Sequence, residues 1–284
     1  MSRQPRRLTD EDLRQNAEPV TPMPDVEGAQ LLVRALKLIF YIRDVQKPVS
    51  TADLAEALGI PLSNTYRLLQ TLELSGLVER RARGEIVLGL HFLDLGRIVQ
   101  KRLDDEIAPI ALPIMRQLTA ETDETSLMTM RTGLQVICVL AVDSPLPVRL
   151  SFAPGRVLPL YRGASGRVLL PWLPTRVLAQ VLAEAADTGV TSGESSNAVS
   201  LRDSLDHIRS DGYLVTTGEV DPYTTAIAAP ILVDGGRLLG GLTLAGPSGR
   251  FPAERVDNLV GRMRSAANAI GQHFVASAGP RPST

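Results

Sequence analysis

The segment Ile60–Leu72, reading IPLSNTYRLLQTL, constrains this chain more than any other stretch. At helical spacing Leu62, Thr65, Leu69 and Leu72 make one stripe, while Ser63, Asn64, Arg67, Gln70 and Thr71 lie on the other side. That second side offers hydroxyl, amide and guanidinium groups, which read base edges and grip phosphates. Gly59 and another short helical stretch precede it. The order is that of a helix-turn-helix whose second helix faces a duplex.

The flanking sequence extends the pattern. Leu31, Leu32, Ala35, Leu38, Ile39 and Ile42 recur at helical spacing, so a first helix is predicted over 28–44. Ser50 offers an N-cap and Asp53 an acidic first turn for a second helix ending at Leu58, with Gly59 as its left-handed terminal residue. Pro61 opens the third helix and Gly76 closes it. Leu77–Arg80 and Glu85–Leu88 then make a short hairpin, a wing carrying Arg80, Arg81 and Arg83.

With 284 residues there is room for two domains. The net charge of −1 still allows a DNA partner, because local basic patches supply the phosphate attraction. The single cysteine, Cys138, excludes an internal disulfide framework and a Cys-rich zinc site. No apolar run is long enough to cross a bilayer, and no apolar core follows the N-terminal arginines as a secretory signal requires. The expectation is a soluble cytoplasmic protein with no cofactor and no metal.

Residues 1–26, with four prolines and mixed charge, read as a disordered tail. Arg3, Arg6 and Arg7 there are either a DNA-touching arm or solvated charge. The division predicted is 27–89 for the winged helix-turn-helix, 90–104 for a linking helix, 105–277 for a second domain and 278–284 for a flexible tail. In the second domain, 125–131, 135–142 and 146–152 are β-rich. Helical runs follow at 164–172, 174–186 and 199–209, strands at 213–219, 226–233 and 237–245, and a last helix at 256–276. The fold class is α+β, with an antiparallel sheet in the second domain.

The chain resembles the IclR family of bacterial transcriptional regulators. The resemblance rests on Leu58–Leu72, Gly76-Leu77-Val78 and Ile86–Gly89 in the first domain. In the second it rests on Gly155–Tyr161 leading into Ala164–Arg167, on Gly212-Tyr213 with Gly218-Glu219, on Ile227–Pro230 and on Leu242–Pro247. It implies a winged helix-turn-helix, a linker helix and a GAF-like effector domain. It also implies dimers, often paired into tetramers, that bind operator DNA, most commonly as a repressor, and respond to a small carboxylate effector. Leu62 stands where the family usually has Lys, and Asn64 where it usually has Thr.

The candidate DNA contacts are Thr51, Ser63, Asn64, Tyr66, Arg67, Gln70, Arg80, Arg81 and Arg83. Each has a plainer role open to it. Arg67 is either a duplex contact or the partner of Glu73 or Glu79. Ser63 is a phosphate contact, a cap, or both. Tyr66 packs with or without a phosphate contact, and the wing arginines touch DNA or only water. By the resemblance, backbone N–H groups of Ala164 and Ser165 meet the effector carboxylate, and side chains from three strands fall on Thr216, Ala226, Thr243 and Ala245. Met128, Leu140 and Ile227 add an apolar wall. Ala226 and Ala245 offer no hydrogen bond, which points to an aromatic or branched acid, unless they are ordinary packing. Cys138 reads as a small core residue.

An enzyme is the main reading of another class. Gly163–Arg167 has the outline of a nucleophile elbow, but its last position is Arg167, and His91, His207 and His273 are scattered. No metal-spaced cluster and no phosphate-binding Gly loop is present. A ligand-sensing module acting through a protein partner without touching DNA is the other alternative, and the third helix and wing argue against it.

Overall fold

The computed structural model describes residues 28–187 and 201–277. The expected tails, the arginine arm and residues 199–200 of one expected helix lie outside the described residues. The chain divides into two compact units, Met1–Lys101 and Arg102–Thr284.

The first unit holds α1 (Gln30–Val45), α2 (Thr51–Leu58), α3 (Leu62–Leu74) and the hairpin β1 (Val78–Arg80) with β2 (Ile86–Leu88). Ser50 caps α2 reciprocally with Asp53: the Asp53 N–H donates to Ser50 Oγ, and the Ser50 N–H donates to Asp53 Oδ2, both at 3.1 Å. These two bonds hold the Asp53 carboxyl below its ordinary value. Gly59 adopts φ 60°, which no side chain has to share, so α2 ends there. Leu38, Leu54, Leu69 and Ile86 are fully buried at the centre of this unit. Val49 and Ile86 exchange two backbone hydrogen bonds, which tie the α1–α2 connection to the wing.

One expectation for α3 is corrected. Its buried stripe is Thr65, Leu68, Leu69 and Leu72. Leu62 is 47% exposed. It lies in the first turn at the edge of the buried arc, on the same side as exposed Tyr66 one turn on.

Helix α4 (His91–Glu106) contains the division between the units, and none of its residues is buried. The second unit continues with α5 (Ala108–Thr122), β3 (Thr125–Thr132), β4 (Gln135–Val142), β5 (Val157–Pro159), α6 (Gly163–Arg167), α7 (Thr175–Asp187) and α8 (Leu201–Asp211). It ends with β6 (Leu214–Thr217), β7 (Thr224–Val233), β8 (Arg237–Pro247) and α9 (Ala253–Ser277). Its six strands form one antiparallel sheet in the order β5-β4-β3-β8-β7-β6. This is the α+β architecture the sequence predicts.

Two details differ. Residues 146–152 form no strand, and the third strand is β5 instead. Pro145 and Pro147 remove ladder donors there, and the Val148 and Leu150 carbonyls accept from the Arg250 and Thr125 side chains. The expected helix 164–172 is the short α6 followed by a 3-10 turn at Leu170–Trp172.

One face of the sheet packs on α5 and α9, through Met115, Met128, Ile227, Leu244, Met263 and Ile270. The other packs on α6 to α8, with Val168, Leu169, Val181 and Ile208 at its centre. At the edge between helix and sheet lies Glu124, with no exposed surface. Arg250 Nε donates to both its oxygens, at 2.9 and 3.1 Å, and Arg255 Nη1 donates at 2.9 Å. Arg255 also donates to the carbonyls of Thr122 and Arg250. Gly246 makes room: a Cβ there would come within 2.2 Å of Glu124 Oε2.

Glu124→Ala leaves both guanidinium groups without their shared acceptor in a mostly buried place. It should lower unfolding free energy by about 3–5 kcal/mol, read from urea denaturation. A loss within about 0.5 kcal/mol would show that the cluster is not a structural clamp.

Candidate DNA interface and ligand cavity

The solvent face of α3 carries Ser63, Tyr66, Arg67, Gln70 and Thr71, all exposed, with Asn64 half-buried at its border. Tyr66 is 51% exposed, so its ring stands with the polar group and not in the core. Arg67 Nη2 donates to Asn64 Oδ1 at 2.9 Å. Its partner in this conformation is therefore Asn64, and neither Glu73 nor Glu79. The bond uses one of the two lone pairs of the Asn64 oxygen, the same atom that a bidentate contact to adenine needs. The Thr65 hydroxyl turns back to the Pro61 carbonyl at 3.3 Å, closing the first turn.

Thr51 is corrected. The first residue of α2, it is only 5% exposed, which leaves little of it open to a phosphate.

On the wing, Arg80 Nε lies 3.5 Å from Glu73 Oε2, which ties the hairpin back to α3 and offsets part of its charge. Arg81 and Arg83 are exposed. Arg83 sits at the tip with φ 74°, left-handed backbone that a Cβ disfavours. The tip thus presents Arg81 and Arg83 to solvent immediately beyond the tethered Arg80, with Arg83 on left-handed backbone.

In the second unit a hollow with about 400 Å³ of space, part of it open to solvent, lies on the α6 side of the sheet. It is lined by Ala164, Ser165, Thr216, Ala226 and Ala245, five of the nine residues expected to meet an effector. Register explains the grouping. Thr216 pairs with Ala226, and Ala226 with Ala245, so three neighbouring strands present one row to the same face. Thr243 lies behind this wall, fully buried, its Oγ1 3.0 Å from Ser165 Oγ.

Met128 and Leu140 are not brought there. Both belong to the core on the opposite face, with α5 and α9, and so does Ile227. A one-residue step along a strand reverses the face, and Leu127 and Cys138 are the neighbours that line the hollows. A β-bulge contributes. Met128 pairs with Leu140 and Thr129 with Cys138, so Val139 is inserted and turns to the helix side with Leu140. The Cys138 thiol is pushed up to about 11 by burial, which suits a packed residue and not a reactive one.

Several lining residues went unpredicted: Leu150 and Phe152 from the β4–β5 connection, Leu158 from β5, Glu219 and Val220 from the β6–β7 connection, and Thr224 at the start of β7. Glu219 dominates the polar end. Its Oε2 accepts the Gly163 N–H at 3.1 Å, and its Oε1 lies 2.6 Å from Nη1 of Arg167, which is almost wholly buried. Arg162 Nε donates to the Glu219 carbonyl at 3.1 Å. The Ala164 N–H donates to Thr216 Oγ1 at 3.1 Å. The Gly163 and Ala164 amides thus already have protein acceptors. Gly218-Glu219 stood out in the sequence as a landmark, and its charge beside a presumed anion site was the available clue.

Comparison with known proteins finds matches over most of the chain. Residues 31–82 match the model of the IclR helix-turn-helix domain, and residues 101–272 match that of the bacterial transcriptional regulator IclR C-terminal domain. The HTH-type transcriptional regulator KipR of Bacillus subtilis is 34% identical over 229 residues, spanning 80% of this chain and 91% of KipR. The HTH-type transcriptional repressor AllR of Escherichia coli is 27% identical over 240 residues, 84% of this chain and 86% of AllR. An IclR family transcriptional regulator from Brucella abortus superposes with a TM-score of 0.70 at 23% identity, covering 89% of this chain and 94% of that one. An IclR homologue from Microbacterium hydrocarbonoxydans, complexed with 4-hydroxybenzoate, gives 0.64 at 22% identity over 87% and 99%.

Arg83→Gly separates the wing's backbone from its charge. It should raise unfolding free energy by about 1 kcal/mol through relief of the left-handed turn, yet weaken DNA binding measured by fluorescence anisotropy. Unchanged affinity would remove Arg83 from the interface.

Proposed function

The chain belongs to the IclR family of bacterial transcriptional regulators, and from that premise we propose that it represses a catabolic operon and is controlled by a small organic carboxylate held in the cavity of its second unit. It is a DNA-binding transcriptional regulator and not an enzyme. The observation that carries the proposal is the pairing, within one chain, of an exposed polar helix face with a largely apolar cavity. Residues 27–89 read the operator, 90–104 connect, and 105–277 sense the effector.

In this reading Arg67, Gln70, Ser63 and Asn64 enter the major groove, Tyr66 flanks them, and Arg81 and Arg83 reach phosphate or the minor groove from the wing. Leu62, exposed beside Tyr66, meets a thymine methyl where its relatives usually place a lysine. Affinity then depends less on phosphate contacts and more on base sequence at that position.

The cavity walls favour an acid with an apolar body: Leu127, Phe152, Leu158, Ala226 and Ala245 supply no hydrogen-bonding side chain. Repression is supported by AllR, and an aromatic acid by the 4-hydroxybenzoate complex of the Microbacterium homologue. Leu31 and Leu32 on α1, and Leu93, Ile98 and Val99 on α4, are more than half exposed, which supports a homodimer and, through it, pairing of dimers. No helix among the described residues is long and apolar enough to cross a membrane. A DNA partner supports a cytoplasmic location.

Anisotropy with labelled DNA from the chain's own upstream region tests the reading. Binding should weaken steeply as salt rises. Arg67→Ala should cost about 1–3 kcal/mol of operator affinity with the thermal midpoint unchanged. Wild-type binding that is indifferent to salt and sequence would sink the regulator assignment, and full affinity in Arg67→Ala would sink the groove-facing role of α3.

A further inference from the structure

On the polar arc of α3 one cation and one amide form a supported pair. Arg67 is exposed, and its Nη2 donates to Asn64 Oδ1 at 2.9 Å. Asn64 is half-buried at the border of the arc, on a first turn that is itself held. The Asn64 and Thr65 N–H groups donate to the Pro61 carbonyl at 2.9 and 3.0 Å, and the Thr65 hydroxyl donates to it as well. A long side chain is thus steadied by a short one on a fixed turn, which reduces the freedom Arg67 has to lose on binding.

The kind of support matters. An amide steadies the guanidinium without cancelling its charge, whereas a carboxylate would offset that charge and be repelled by phosphate. Glu73, further along the same helix, is engaged by Arg80 at 3.5 Å instead. The support also leaves the donor fork usable. Nη2 carries one hydrogen beside that of Nε and another beside a hydrogen of Nη1. Whichever of these Asn64 takes, a parallel pair of N–H donors remains. In the major groove such a pair matches the N7 and O6 acceptors of guanine, while adenine presents one acceptor and one donor.

A threonine at this position would not give the same support. Thr65 and Thr71 of α3 turn their hydroxyls back to the carbonyls of Pro61 and Arg67, four residues earlier, at 3.3 and 3.1 Å. A hydroxyl at position 64 would turn the same way and release Arg67.

We infer that Asn64 is a positioning residue for Arg67, and that the pair sets a guanine in each operator half-site, read by Arg67 through N7 and O6. Asn64 acts through Arg67 and does not itself select an adenine. The inference rests on α3 facing the major groove.

Selection of full-length protein against a randomised duplex pool, followed by anisotropy with the enriched duplex, tests this. Wild type should enrich an invariant guanine, and 7-deazaguanine at that place, which lacks the N7 acceptor, should weaken binding about tenfold. Arg67→Ala should bind both duplexes alike. Asn64→Thr should shrink the discrimination about fivefold, the worth of one hydrogen bond. Asn64→Asp, which keeps the acceptor, should retain the discrimination while total affinity falls through repulsion of phosphate. Thermal midpoints confirm that the variants fold. Full discrimination in Asn64→Thr overturns the positioning role. Undiminished discrimination in Arg67→Ala overturns the assignment of the guanine. Loss of an adenine preference in Asn64→Thr, with the guanine preference intact, shows Asn64 reading a base directly and also overturns the inference. A wild-type pool with no enriched sequence removes the groove-facing reading of α3 and this inference with it.

Discussion

The second unit is organised around one buried carboxylate. Glu124 opens β3 immediately after α5, and the two arginines that hold it sit at the junction of β8 and α9. An ionised carboxylate with no exposed surface is tolerable only if its charge and lone pairs are met, and two guanidinium groups meet them. In doing so they tie three points far apart in sequence: the end of α5, the segment after β4 through the Val148 carbonyl, and the start of α9. The helical layer is thereby pinned to the sheet at one end, and the segment carrying Leu150 and Phe152 is pinned over the cavity. Such a cluster adds less to net stability than an apolar contact of equal size. Its value is in specifying one arrangement, because a misplaced strand would strand a charge.

From that frame the two sides of the sheet take different tasks. The side toward α5 and α9 is filled mainly by leucine, isoleucine, valine and methionine. The side toward α6 carries small residues, Ala226 and Ala245, in one row with Thr216, and their missing volume is the cavity. A row of alanines facing a helix layer held off by Glu219 and the Gly163–Arg167 turn leaves space that leucines would have closed. The first unit makes the same division on a smaller scale. One arc of α3 is packed on Leu38 and Ile86, and the opposite arc is left free with its donors exposed.

How much of this was legible beforehand depends on whether the signal was local. The caps of α2, the left-handed Gly59, the hairpin and the polar arc of α3 all follow from residues within a few positions of one another, and the sequence shows them directly. The order of strands and helices in the second unit was likewise visible, apart from the stretch at 146–152, where apolar content resembled a strand but Pro145 and Pro147 denied it a ladder. Leu140 was assigned to the wrong face because the bulge at Val139 shifts β4, and Met128 because β3 is buried on both sides near its start. Thr125 to Thr129 are all buried, so no alternation of polar and apolar residues marks inward from outward.

The sequence by itself determined the elements, the polar reading face of the third helix and membership in a family of regulators, because periodicity, caps and motif spacing are properties of contiguous residues. Only the tertiary structure decided that Leu62 stands outside the core, that Thr51 is buried, that Leu127 and not Met128 looks onto the cavity, that Cys138 and not Leu140 lines the smaller hollow, and that Glu219 lies on the cavity's lining. Those facts depend on strand register, on one bulge and on which distant side chains close over a helix edge. Such properties arise from packing between segments and leave no trace in the spacing within any one of them.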